Sequence, residues 1–78
     1  MLEPQFLAAF IRKHRKASGL SQLQLAEMAG VGKTSVFDLE NGKETIQLDT
    51  LRKILNVLNI KVQLISPLTN SLDKNEKG

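Results

Sequence analysis

Near the start of the chain, apolar and half-apolar residues recur in steps of three and four. Phe6, Leu7, Phe10, Ile11 and His14 follow Pro4 in this way, the spacing of one face of an amphipathic helix. Pro4 suits a first helical position. Gly19, with Leu20 behind it, is a left-handed stop followed by its hydrophobic contact, so a first helix is expected over about residues 4–17. "SQLQ", Ser21 to Gln24, has the form of a capping box, in which the two side chains satisfy each other's orphan amides. A short second helix follows, with Leu25, Ala26, Met28 and Ala29 on its apolar side and Gly30 as its breaker. Residues 33–41 read as a third helix. Val36 and Leu39 face inward with Phe37 as a further candidate, Thr34, Ser35, Asp38 and Asn41 face outward, and Asn41-Gly42 is the stop. A fourth helix, about residues 48–58, carries the stripe Leu48, Leu51, Ile54, Leu55 and Leu58.

The pattern then changes. In "IKVQLIS" the apolar Ile60, Val62 and Leu64 sit at every second position, the period of a strand. Pro67 stops it. The rest, "TNSLDKNEKG", is polar and reads as a flexible tail. The division expected is therefore a domain over residues 1–66 and a tail over 67–78.

Composition narrows the chemistry. In 78 residues there is room for one small domain. The absence of cysteine removes disulfides, thiolate metal sites and cysteine nucleophiles. A single histidine builds neither a metal site nor a catalytic triad, and no paired-carboxylate pocket is evident, so neither an enzyme nor a bound metal or cofactor is expected. No apolar run approaches the ~18 residues of a membrane span, and the N-terminal segment lacks the basic region of a signal peptide. A cytoplasmic location is the expectation. The formal net charge of +3 permits a polyanionic partner without requiring one.

"AGVGKTS", Ala29 to Ser35, resembles part of a nucleotide-binding P-loop. The motif requires G-x-x-x-x-G-K-[ST]. With Gly32 and Lys33 as its Gly-Lys pair, the first glycine would fall at Glu27, a carboxylate where phosphate should sit. The segment before it is capped as a helix, whereas a P-loop follows a buried strand. The alternative is a short helix, a glycine turn and a second helix, which together make a helix-turn-helix unit. Ala26 is small where the two helices cross, Gly30 turns the chain, and Val31, Val36 and Leu39 lock the angle. The second helix then offers its N-terminal residues to a major groove.

Here the sequence resembles a known family. "GLSQLQLAEMAGVGKTSVFDLENGK" looks like the helix-turn-helix of Xre/Cro-type repressors. With "IRKHRKASG" before it and "LDTLRKILNVLNI" after it, the resemblance extends over about residues 6–62, in particular to the short HipB-like antitoxins. It implies an all-α, lambda-repressor-like bundle of four to five helices with a short C-terminal β-strand for dimer pairing. It also implies a dimeric repressor of its own operon that binds a HipA-like kinase toxin. A repressor of a phage or restriction system with the same core, or a protein-interaction module on the same fold, remains an alternative.

Candidate contacts to double-stranded DNA follow. Lys33 can donate to guanine, Thr34 and Ser35 can donate or accept, and the Thr34 methyl can meet a thymine methyl. Asp38 either accepts from a cytosine amine or repels phosphate. A solvated helix face is the bland reading of all four. The family pattern places Gln22 against a phosphate or a base-reading side chain. It gives Asn41 and Lys43 backbone contacts, which position a protein without reading sequence. By the same resemblance Arg15 and Glu40 form a largely buried ion pair, which makes Arg15 structural. Arg12, Lys13 and Lys16 either add phosphate attraction or form a solvated face. Finally, Ile60, Val62 and Leu64 lie on a strand without a partner in its own chain. Pairing with a second copy across a two-fold axis would cover its edge, and the homodimer would read a pseudo-palindromic operator. The other possibility is that the segment is merely extended and packs on its own domain.

Overall fold

Four helices account for the regular structure of the core in a computed structural model, which describes residues 3–68. They are α1 (Pro4–Ala17), α2 (Gln22–Ala29), α3 (Lys33–Glu40) and α4 (Leu48–Val57). Local chemistry sets their ends. Pro4 stands in the first turn of α1, where no intrahelical donor is lost. At α2 the box closes: Gln24 N–H donates to Ser21 Oγ at 3.0 Å and Ser21 N–H donates to Gln24 Oε1 at 2.8 Å. After α3, Gly42 takes a positive φ of 81°. Its N–H donates to Leu39 O, while Lys43 N–H reaches back to Asp38 O at 3.0 Å. This paired closure satisfies carbonyls the helix end leaves open.

The core lies between the helices. Ile11 of α1, Leu25 and Ala26 of α2, Val36 and Leu39 of α3, and Leu51, Ile54, Leu55 and Leu58 in and just after α4 form one buried cluster. Leu7, Leu20, Ala29, Val31, Ile46, Val57 and Ile60 close around it. Helix α2 packs on both α3 and α4, and α3 also packs on α1. The almost fully buried Ala26 keeps α2 close to its neighbours, since a longer side chain there would push them apart.

Some apolar residues placed inside by periodicity lie outside. Met28 is 62% exposed and Leu48 72% exposed. At about 100° per residue, Leu25, Ala29 and Ala26 span a narrow arc of α2, and Met28 falls beyond it. Leu48 begins α4, and because helical side chains lean toward the N-terminus it points past the end of the packed surface. Phe6 lies well round α1 from Ile11 and is 64% exposed, stacked on Phe10 with ring centroids 6.0 Å apart. Phe37, the further candidate for the interior, is 52% exposed. His14 is part-buried, its Nδ1 lying 2.8 Å from Phe10 O and its ring against that of Phe10.

Residues 60–66 form neither helix nor strand in the single chain. A strand exists through its ladder, and this chain presents no second one among the described residues. Ile60 anchors the segment: its N–H donates to Leu55 O at 2.9 Å and its side chain packs on the core. Val62, Leu64 and Ile65 beyond it are exposed. Most of the expected polar tail, residues 69–78, lies outside the described residues. No helix among those described is long and apolar enough to cross a membrane.

Candidate nucleic-acid interface

The turn between α2 and α3 is built by Gly30, Val31 and Gly32. Gly30 adopts φ 73° and ψ 33°, a left-handed conformation costly for residues with a Cβ. Val31 N–H then donates to Ala26 O at 3.0 Å, and the Val31 side chain packs against the core. Gly32 is extended and α3 starts at Lys33. Within α3, Val36, Leu39 and Glu40 are buried. Lys33, Thr34 and Phe37, together with the capping residue Asn41, are exposed. The eight-residue helix therefore divides lengthwise, one side locked into the bundle and the other free.

The locked side ends in a charged joint. Arg15 Nε and Nη2 donate to the two carboxylate oxygens of Glu40 at 2.6 and 2.9 Å. Arg15 Nη1 donates to Leu20 O, and Gln22 Nε2 donates to Glu40 Oε1 at 3.1 Å. The side chains of Arg15 and Glu40 keep only 10% and 3% of their surface exposed. One carboxylate thus fastens α1 and the first residue of α2 to the end of α3. Sequence reasoning missed the Gln22 contact, because no local spacing signals a bond across 18 residues.

Burial is the strongest single influence on Glu40 and pushes its carboxyl up; the hydrogen bonds from Arg15 and Gln22, with the charges of Arg15 and Arg12, outweigh it. The net result is a value below the ordinary 4.5. Arg15 is raised, chiefly by its hydrogen bond to Glu40. Above the ordinary glutamate value both folded and unfolded chains are ionised, and the joint contributes fully. As pH falls through that value the unfolded chain is protonated first, and the contribution is gone once the folded carboxyl titrates as well. Urea midpoints measured across this range should fall with acidification in the wild type and fall less steeply in Glu40→Gln. Parallel curves would remove Glu40 from the acid transition.

The free side carries the polar candidates in two groups. Gln22, Lys33, Thr34 and Phe37 line one open cleft. Ser35, Asp38 and Lys43 line another, with Thr45, Ile46, Gln47 and Thr50. Lys43 Nζ lies 3.4 Å from Asp38 Oδ2 in an exposed pair, so Asp38 steers Lys43 at little energetic gain. Asn41 Nδ2 donates to Phe37 O at 2.8 Å, which leaves its carbonyl oxygen outward. Arg12 and Lys16 line a third cleft with the Arg15–Glu40 joint, Gln22, Phe37 and Asn41; Lys13 does not. The basic run therefore divides, Arg12, Arg15 and Lys16 standing beside α3 and Lys13 apart from it. On α3, Phe37, a further candidate for the interior, lies outward instead. Its position four after Lys33 and four before Asn41 was the available signal, since such residues share a helix face.

Two helices joined by a three-residue glycine turn, the second braced on one side and polar on the other, define a helix-turn-helix DNA-binding regulator. The family model for helix-turn-helix proteins matches residues 11–65. The chain belongs to this family, in its Xre-type form. It is 36% identical over 64 residues to the HTH-type transcriptional regulator y4mF of Sinorhizobium fredii, covering 82% of this chain and 84% of that one. It is 35% identical over 74 residues to control protein C.SmaI of Serratia marcescens, covering 95% and 86%. Among solved structures it is similar to a chain of the HipA–HipB–O2–O3 complex, with a TM-score of 0.77 and 27% identity over 86% of this chain and 94% of that one.

Proposed function

We propose that the protein is a homodimeric, operator-reading repressor of its own operon, and that it acts as a HipB-like antitoxin toward a HipA-like kinase toxin. The observation that carries the DNA reading is the division of α3. Lys33 and Thr34 are exposed at its start, while Val36, Leu39 and Glu40 hold the helix rigidly from behind. In this reading Lys33, Thr34, Ser35 and Asp38 meet base edges. Gln22, Asn41 and Lys43, with Arg12 and Lys16, meet backbone phosphates.

Pairing is supported by an apolar groove lined by Phe6, Leu7, Phe10, Leu51, Leu55, Ile60 and Val62. It continues into the exposed Val62 and Leu64, whose backbone joins no ladder among the described residues. Strand pairing between two copies would satisfy the backbone and cover the groove in one step. The likeness to a chain of the HipA–HipB–O2–O3 complex supports the kinase partner. The likeness to control protein C.SmaI favours a second reading, a control-type regulator without a toxin.

Binding to the DNA upstream of the protein's own gene, against a scrambled duplex at two salt concentrations, tests the first part. Preference for the upstream DNA that persists at the higher salt is expected; equal binding to both, erased by salt, would overturn the operator reading. Co-purification with a kinase encoded beside it decides between antitoxin and control protein. Within the interface, Lys33→Ala should weaken operator binding by about 1–3 kcal/mol and leave binding to scrambled DNA nearly unchanged. An equal loss on both duplexes would reduce Lys33 to a phosphate contact.

A further inference from the structure

Phe37 is a large aromatic side chain that the fold does not use. It is half exposed on an eight-residue helix whose other apolar members, Val36 and Leu39, are fully enclosed. At about 100° per residue, Phe37 falls between Lys33 and Thr34 around the helix, with Asn41 beyond it. It stands on the half of the free face nearer α1, with Ser35 and Asp38 on the other half. Its surroundings are polar: Gln22, Lys33 and Thr34 share one cleft with it, and Arg12, Lys16 and Asn41 share the next. A lone apolar group ringed by hydrogen-bonding and cationic side chains matches a surface that is itself polar, anionic and interrupted by isolated methyl groups. The DNA major groove is such a surface, and the thymine C5-methyl is its one apolar feature.

We infer that Phe37 reads thymine, packing its ring against a C5-methyl while Lys33 and Thr34 address neighbouring base edges. This rests on the DNA-reading function proposed above. Discrimination would come from the methyl alone, because the ring offers no hydrogen bond by which to tell one base from another.

The test uses the full chain and a duplex selected from a random-sequence library. Each thymine in that duplex is replaced in turn by deoxyuridine, which removes the methyl and leaves the Watson–Crick pair intact. For the wild type, one thymine position in each half-site should lose affinity about fourfold, and replacing both about fifteenfold, the effect of uncovering one methyl group per site. Phe37→Ala should bind the thymine and deoxyuridine duplexes equally at those positions; Phe37→Leu, which keeps an apolar contact, should retain part of the sensitivity. Circular dichroism checks that both variants fold. A wild type that selects a duplex yet is indifferent to every methyl overturns the inference and leaves the operator reading standing, as does Phe37→Ala with sensitivity unchanged. Failure to select any duplex overturns both, and would point to Phe37 as part of a protein-docking face.

Discussion

Arg15→Ala should lose about 3–5 kcal/mol of folding stability, the usual consequence of stripping one partner from a buried ion pair. The loss goes beyond one contact. Removing the guanidinium leaves the Glu40 carboxylate enclosed, with only Gln22 to donate to it, and leaves Leu20 O without the Arg15 donor. A domain of 78 residues has a total stability of about 4–12 kcal/mol, so the variant should give up at least about a quarter of it. Replacing both partners should be far milder. Arg15→Met combined with Glu40→Leu fills similar space without stranding a charge, and such replacements are often neutral or stabilising. Urea denaturation of the two single variants and the double variant measures this as a cycle. A loss below about 1 kcal/mol for Arg15→Ala would class the joint with exposed pairs.

The second large effect concerns assembly. A chain ended after Lys61, or one carrying Val62→Asp with Leu64→Asp, should sediment as a monomer and bind its operator about 10²–10⁴-fold more weakly, the range by which linking two binding modules raises affinity. The cut must spare Ile60, whose N–H and side chain belong to the monomer's own core. The monomer should still fold, since Val62 and Leu64 are exposed in the single chain, but it should melt below the dimer and without the dimer's dependence on concentration. Sedimentation velocity and fluorescence anisotropy on the operator read the two expectations independently. A dimer that survives both variants would place the interface elsewhere.

The helix ends were legible from sequence because the signals for them are local. Pro4, the Ser21–Gln24 box, Gly30 and Asn41-Gly42 each act within a few residues through backbone chemistry. The core was legible in outline, since the helical faces read from periodicity supply Ile11, Leu25, Leu39 and Ile54, all of them buried. Stripe margins were not. A helix of two turns has too few residues to fix its own phase, and whether Phe37 or Met28 turned inward depended on where α1 and α4 lay. The Arg15–Glu40 joint was available only through family resemblance, because its partners are 25 residues apart. The third member, Gln22, was placed at the DNA and proves also to touch the joint. The strand expected over residues 60–66 is not formed in the single chain, because a strand needs a ladder and no second strand stands beside it among the described residues.

The lengthwise division of α3 also bears on how such a regulator can diverge. Val36, Leu39 and Glu40 keep the architecture, whereas Lys33, Thr34, Phe37 and Asp38 contribute little to it. If the outward residues read DNA as proposed above, architecture and address are inscribed on opposite sides of the same two turns. Duplicated copies of this gene could drift to new operators by changing only the outward residues, each step leaving a folded protein, so that regulators insulated from one another arise without passing through an unstable ancestor.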